Sequence, residues 1–216
     1  MIYDQILDDM DYDRSSDESS AKLLKALTLN SNIIDEDDLQ IEKIVTVFGN
    51  GPNLEKDVSL SKPEGTLISS GSAVERLLRM DIVPHIIVTD LDGEIEPQIR
   101  CNKEGVITFI HAHGDNVDLI QKYVHEFTGP IIITTQSIPD NKVLNFGGFT
   151  DGDRAVCIAR HFGARNILLL GFDFDDPMTK KGMDPKVKLK KLQWARKIIF
   201  DNNEAGIEIK LPIDIL

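Results

Sequence analysis

The sequence predicts an α/β protein with a mostly parallel sheet flanked by helices and a small helical region at its N-terminus. From Lys43 onward, short runs rich in Ile, Val and Leu alternate with stretches of helical period, the pattern of repeated βα units. This richness in branched apolar residues is what strands covered by helices on both faces should show. Residues 1–42 lack this texture, being rich in Asp and Ser with no Gly or Pro. The boundaries are therefore a helical N-terminal region over 1–42 and a Rossmann-like catalytic domain over 43–216.

In chain order, Ser15, Ser16 or Asp17 is placed to cap a helix running through Leu27, with Leu23, Leu24 and Leu27 on one face. Such a helix either packs on the main domain or serves a homodimer contact. The run Asp35–Asp38 reads as a solvated charge cluster. Strands are expected at Ile44–Phe48, Thr66–Ser69, His85–Thr89, Val106–Ile110, Ile131–Thr134 and Ile167–Leu170. Between them, helices fit Ser72–Met80, Asn116–Phe127 and Asp153–Phe162, the last stopped by Gly163. A final helix runs from about Lys186 to Asn203, and Ile207–Leu211 closes the sheet as an edge strand ended near Pro212. No internal repeat is visible.

Composition narrows the function classes. A chain of 216 residues buries a core without disulfides or a structural metal. A net charge of -12 argues against a nucleic-acid partner, since phosphate backbones are held by excess Lys and Arg. The two cysteines, Cys101 and Cys157, have no metal-ligand spacing and read as core thiols of a cytoplasmic protein. No apolar run approaches the roughly 20 residues that span a bilayer, so no membrane is expected, and the acidic N-terminus is not a signal peptide.

Each of the six main-domain strands is followed at once by small or polar residues. Parallel strands end on one side of the sheet, so these segments converge on one crevice, where ligands of open α/β sheets bind. The loop Gly49-Asn50-Gly51-Pro52-Asn53-Leu54 permits close backbone approach, and Pro52 suits the first turn of a helix. It lacks both the third glycine of a dinucleotide fingerprint and the GK[ST] of a P-loop. Asp90 and Asp92, separated by one residue and followed by Gly93, can aim two carboxylates into one space and hold Mg²⁺ together with substrate phosphates. His111 and His113 face one side of an extended strand, with Asp115 beside them; the pair, His113 above all, suits substrate contact or proton transfer, and helix-capping by Asp115 or Asn116 is the alternative. Ser70, Gly71 and Gln136 lie on neighbouring loops. Gly148, Thr150, Asp151, Asp153 and Arg154 open a helix whose amides face the same crevice, with Arg154 as a cation for phosphate. Asp173 and Asp175 would bind a second metal, bind a ring NH group or stabilise a loop. Lys180, Lys181, Lys186, Lys188, Lys190 and Lys191 form either a solvated helix face or a source of cations for a polyphosphate.

Taken in order, GNGPNL, SSGSAVERLL, VTDLDG, HAHGDN, GGFTDGDRAV and GFDFD resemble the archaeal 6-hydroxymethyl-7,8-dihydropterin pyrophosphokinases, a group related to thiamine pyrophosphokinases. The resemblance covers roughly residues 43–211. It implies ATP-dependent transfer of a diphosphate to the primary alcohol of a reduced pterin, with release of AMP, in tetrahydromethanopterin or folate-type biosynthesis. It implies Asp90 and Asp92 as the Mg²⁺-associated pair and the GGFTDGDR segment as part of the nucleotide or pterin pocket. Asn53 stands where relatives often carry Ser, a departure from the pattern. Competing readings are a thiamine pyrophosphokinase, a sialyltransferase-like glycosyltransferase that shares the GNGP[SN]L loop, and a non-catalytic nucleotide-binding module.

Overall fold

The computed structural model describes residues 2–177 and 184–212. Two helices come first, α1 (Ile2–Met10) and α2 (Arg14–Leu27). The main unit then runs β1 (Ile44–Phe48), α3 (Leu54–Leu60), β2 (Thr66–Ser70), α4 (Val74–Arg79), β3 (Ile86–Thr89), α5 (Ile95–Lys103), β4 (Ile107–Ala112) and α6 (Val117–Tyr123). It continues through β5 (Ile131–Thr135), β6 (Val143–Leu144), α7 (Asp151–His161), β7 (Asn166–Leu170), α8 (Pro185–Arg196) and β8 (Glu208–Lys210). Among the described residues the strands form one eight-stranded sheet in the order β6-β5-β4-β3-β2-β1-β7-β8. Every neighbouring pair is parallel.

The sheet is buried on both faces because its strands carry apolar residues at successive positions, and the two-residue side-chain period sorts these between the faces. Val45, Val47, Ile68, Ile86, Val88, Phe109, Ile132, Ile167 and Leu169 meet Ala155, Val156, Ile158 and Ala159 of α7 on one face. Small residues on α7 let its backbone lie close to the central strands. On the other face Ile110, Ile131 and Ile133 pack with Leu24 of α2, Ile99 of α5 and Ile120 of α6. Beside them Phe48 and Leu170 pack with Leu54 and Leu77. Each such Val, Leu, Ile or Phe removed from water contributes about 1.5–3 kcal/mol.

The fold class is the expected one, with several local differences. The cap of α2 is Asp13, whose side chain accepts from Ser15 N at 3.1 Å. Asp17 instead lies inside the helix on its buried face, and Leu27 is exposed. Pro52 sits in a turn ahead of α3, not within its first turn. His85 falls outside β3, where its Nδ1 accepts from Leu67 N at 2.9 Å. β4 runs on to Ala112, which brings His111 into the sheet. The helices α1 and α5 and the short strand β6 are not among the expected elements, and α3 is the helix expected to start at Pro52, begun two residues later. Cys101 is a buried core thiol, while Cys157 is partly buried, its thiol pushed up to about 12 by its surroundings. No helix among the described residues is long and apolar enough to cross a membrane.

The helical N-terminal region is packed on the sheet and touches the C-terminal helix. Ile34 N donates to Ile131 O at 3.0 Å, joining the segment after α2 to β5. Asp9 of α1 accepts from Trp194 Nε1 at 2.7 Å and pairs with Lys190 Nζ at 2.9 Å on α8.

Candidate active site

The sheet reverses its direction of growth beside β1, with β2 to β6 added on one side and β7 and β8 on the other. Chain leaving β1 goes to α3 on one face, while chain leaving β7 goes to α8 on the other. Such a reversal opens a crevice at the carboxyl ends of the two strands. The strand-end loops are joined at its base, Gly49 N donating to Leu170 O at 2.9 Å and Gly51 N to Gly171 O at 2.7 Å. A Cβ on Gly49 or Gly51 would lie 2.6 Å from Gly171 O, so close backbone approach requires both glycines. Asn53 Nδ2 reaches Phe172 O at 3.2 Å and Asp57 Oδ2 at 2.8 Å. From α4, Arg76 Nη1 donates to Asn50 Oδ1 at 2.8 Å and Gly51 O at 2.9 Å. Gly51→Ala is therefore expected to lower stability by about 1–3 kcal/mol, the usual scale for forcing volume into a packed contact. A urea melt superimposable on that of the wild type would show that the loops can part at no cost.

Above this base lies a crevice of about 290 Å³. Side-chain parity supplies one end of it. Ser70, Asp90, His111 and Thr134 follow Ile68, Val88, Phe109 and Ile132 by two residues, on the face that α7 covers. The crevice wall here is Ser70, Asp90, Asp92, His113, Gln136, Thr150 and Asp151. At the other end Tyr12, Phe149, Phe172 and Phe174 present aromatic surface, with Lys188 and Lys191 of α8 beside them. Lys191 Nζ lies 5.6 Å from the Tyr12 ring centre and 5.7 Å from that of Phe149.

The acidic loop is shaped by an unusual backbone. Leu91 has a φ of 67°, a left-handed conformation that costs a non-glycine residue about 1–3 kcal/mol. It is held because the Leu91 side chain is buried in the core and its N–H donates to Thr89 Oγ1 at 2.9 Å. The turn brings both flanking aspartates to the crevice. Asp90 Oδ1 accepts from Asp92 N at 3.1 Å, and Asp90 Oδ2 lies 3.4 Å from His113 Nε2. Asp115 N lies 3.3 Å from His113 Nδ1, and the other ring nitrogen, Nε2, faces Asp90.

These carboxylates differ in charge state for identifiable reasons. Burial alone would raise the Asp90 pKa, but the hydrogen bond and charge of His113, the Asp92 amide and Arg154 outweigh it and hold Asp90 down at about 2. Burial, and then the Asp90 charge, push Asp151 well above the ordinary carboxylate value, against the pull of Arg154. Arg154 is buried behind Asp151, its Nη1 3.6 Å from Asp151 Oδ1. His111 is fully buried and its pKa is pushed well below the usual histidine value, by burial first and then by the charges of Arg154 and His113. It is bonded through Nδ1 to Thr134 Oγ1 at 3.0 Å. A carboxyl whose folded-state pKa is raised supplies stability at low pH that is lost as pH rises through the raised value. In cation-free protein, Asp151→Asn is thus expected to melt above the wild type at about pH 8. The difference should close below the ordinary carboxylate value of about 3.9. Equal melting temperatures across that range would refute the proton assigned to Asp151.

A family model described as 6-hydroxymethylpterin diphosphokinase MptE-like matches residues 20–179. The chain belongs to this MptE-like family. It is 41% identical over 211 residues to a 6-hydroxymethyl-7,8-dihydropterin pyrophosphokinase of Methanothermobacter thermautotrophicus, covering 91% of this chain and 90% of that protein. To the protein of the same description in Methanocaldococcus jannaschii it is 35% identical over 223 residues, with 92% of each covered. Among solved structures, the MAf glycosyltransferase of Magnetospirillum magneticum AMB-1 matches with a TM-score of 0.57 at 16% identity, over 92% of this chain and 38% of that one, a likeness of fold alone.

In this MptE-like chain the crevice gathers ten of the residues that sequence patterns single out, namely Gly49, Asn50, Gly51, Ser70, Asp90, Asp92, His113, Gln136, Thr150 and Asp151. Five others stand behind its wall. Asn53 ties the strand-end loops together, as described. A Cβ on Gly71 would press on Thr89 and one on Gly148 on Arg154, and Gly148 has a φ of 91°. Asp153 is fully buried and accepts from Phe149 N and from Thr150 N, which fixes the start of α7. Arg154 acts on the crevice through Asp151, with no direct face upon it. Asp173 lines the crevice while its Oδ1 accepts from Asp175 N and Asp176 N, each at 3.0 Å, so it also stabilises its loop. Of the lysines, Lys188 and Lys191 reach the crevice and Lys190 pairs with Asp9; Lys180 and Lys181 lie outside the described residues. Tyr12, Phe149 and Arg76 were missed. Nothing in the sequence places Tyr12, whose helical region packs across the crevice mouth, or Arg76, whose partners lie two elements upstream.

Proposed function

We propose that the protein transfers a diphosphate from ATP to the hydroxymethyl group of 6-hydroxymethyl-7,8-dihydropterin and releases AMP. The reading is carried by identity of 35–41%, over 91–92% of this chain, to proteins described as 6-hydroxymethyl-7,8-dihydropterin pyrophosphokinases, in a chain whose acidic residues converge on one crevice. The donor set suits a hard cation. Asp90, Asp92 and Asp151 offer only oxygen, and Asp151 Oδ1 is buried with no hydrogen-bond partner in the chain. No group of three His, Cys, Asp or Glu side chains among the described residues forms a ready metal cage. Mg²⁺ is commonly held by one or two carboxylates together with substrate phosphates, a number Asp90 and Asp92 can supply. When bound by Asp90 and Asp92, Mg²⁺ would neutralise phosphate charge during transfer.

The chain itself supplies position and proton management. The hydroxymethyl oxygen attacks the β-phosphorus in line, a new C–O–P bond forms, and the bond between the β-phosphorus and the α,β-bridging oxygen breaks to release AMP. His113 holds Asp90 through Nε2 and keeps that carboxylate ionised. Asp151, with its raised proton affinity, enters the reaction protonated and faces the crevice as a hydrogen-bond donor, while the hydroxyl proton leaves to a phosphate oxygen of the departing AMP. The loop Gly49–Gly51 lets phosphate approach the backbone, and Lys188 and Lys191 bring positive charge to a crevice otherwise lined by carboxylates. The aromatic end, Tyr12, Phe149, Phe172 and Phe174, offers flat apolar surface to a heterocycle.

The deciding experiment is incubation with Mg-ATP and 6-hydroxymethyl-7,8-dihydropterin, followed by chromatography. One AMP per diphosphorylated pterin is expected. Release of ADP instead, or AMP formed with thiamine but not with the pterin, would overturn the reading.

A further inference from the structure

The loop that carries His113 is held from outside the α/β unit. Asp17, on α2, is only 4% exposed. It accepts three hydrogen bonds: Gly114 N to Oδ1 at 2.7 Å, Gln136 Nε2 to Oδ2 at 2.9 Å and Tyr3 Oη to Oδ2 at 2.6 Å. Gly114 directly follows His113, and Gln136 is itself part of the crevice wall. A Cβ on Gly114 would lie 2.6 Å from Ser16 Cβ, so α2 rests directly on this loop. About one turn along α2, Ser20 Oγ donates to Asn116 Oδ1 at 3.4 Å. Asn116 is the joint between the two catalytic loops: its Nδ2 donates to Asp90 O at 2.8 Å and His111 O at 2.7 Å, and its Oδ1 accepts from His113 N at 3.0 Å.

Packing does not require this arrangement. Leu24 already buries α2 against the sheet, whereas a charged group out of water is costly unless its oxygens are satisfied by well-directed donors. Burial and Asp17 itself raise the Tyr3 hydroxyl above its usual pKa, which keeps it a donor. The carboxylate is thus spent on two crevice elements, β4's loop and the end of β5, at positions where an apolar side chain would leave Gly114 N and Gln136 Nε2 unpaired.

We propose that Asp17 is a positioning residue of the active site, fixing the His113–Gly114 loop and the Gln136 amide in the geometry by which His113 holds Asp90. It does not touch substrate. The kinetic part of this inference rests on the proposed function; the structural part does not.

The test compares D17A, D17N and, as a packing control, L24V. Per folded molecule, D17A is expected to lose about tenfold to a hundredfold in kcat, the scale of an ångström-sized misplacement, with the KM for ATP within about threefold of wild type. D17N keeps an oxygen for Gly114 N and should recover most of that loss. L24V lowers the melting temperature yet leaves kcat per folded molecule unchanged. Amide exchange followed by mass spectrometry should show the 111–116 segment of D17A exchanging about tenfold faster or more, with the β1 segment unaffected. A wild-type kcat in D17A, a loss confined to KM, or unchanged exchange at 111–116 each overturns the proposal. Absence of pterin diphosphate from the wild-type enzyme would sink the proposed function, and the exchange comparison would still decide whether Asp17 fixes the loop.

Discussion

Asp90→Asn and Asp92→Asn are each expected to lower turnover by about a hundredfold or more, equivalent to about 2.7 kcal/mol of lost transition-state stabilisation. Both side chains border the crevice and are aimed there by the left-handed Leu91, which lies between them. Asp90 is held at about 2, so it carries its full charge at neutral pH, and Asn preserves the shape while removing that charge. The neutral variant also leaves a single oxygen for the two groups that face the carboxylate, Asp92 N and His113 Nε2. Because diphosphate transfer relies on positioning and charge neutralisation with no covalent nucleophile, a lost carboxylate has no substitute within the site. The check is steady-state kinetics on variants whose circular dichroism and melting match the wild type. Unchanged kcat in both would remove Asp90 and Asp92 from the mechanism.

The largest stability effect is expected from Asp153→Ala. This carboxylate is fully buried and accepts from Phe149 N, from Thr150 N at 3.1 Å and from Thr150 Oγ1 at 3.1 Å. Alanine leaves those donors unsatisfied at the start of α7, the helix that covers the central strands. Loss of such a cap costs about 1 kcal/mol, and each buried donor left without an acceptor costs about 1–3 kcal/mol, so a loss of about 3 kcal/mol is expected. In a chain of this size that lowers Tm by about 6–12 °C. Thr150→Ala removes one hydroxyl and should lower it by far less. A calorimetric Tm for Asp153→Ala within about 2 °C of wild type would show that the amides find other partners.

What the sequence discloses and what it conceals follow from the range of the interactions. Strands such as Ile44–Phe48 and Ile131–Thr135 are legible because burial on both faces makes them rich in Ile and Val. Their polar sequels are legible as a set because parallel strands end on one side. Helix α5 hides because its buried face is mixed: beside Ile95, Ile99 and Cys101, Gln98 donates to Asp92 O and Glu94 O, and Asn102 joins Val106 O, Thr108 Oγ1 and Pro130 O, which interrupts the apolar stripe. Strand β6, only two residues long, is below the reach of any pattern. Within the site, Asp90, Asp92 and His113 stand out through local spacing. The assignments of Asn53, Gly71 and Asp153 as ligand contacts, by contrast, came from loops whose inner and outer residues look alike until the chain is folded. Asp17 and Tyr12 depend on how a remote helical pair docks, and no local pattern encodes that.

The interleaving of β1 between β2 and β7 also constrains how the molecule is made. During synthesis β1 emerges early and gains β2 at once, but its other edge must wait for β7, in the last quarter of the chain. Until then the unpaired backbone of Ile44–Phe48 is a template for adventitious strands, and the glycine loop has no Gly171 to close against. A nascent chain released before residue 166 would therefore be both sticky and without a closed crevice, whatever the state of its aspartates.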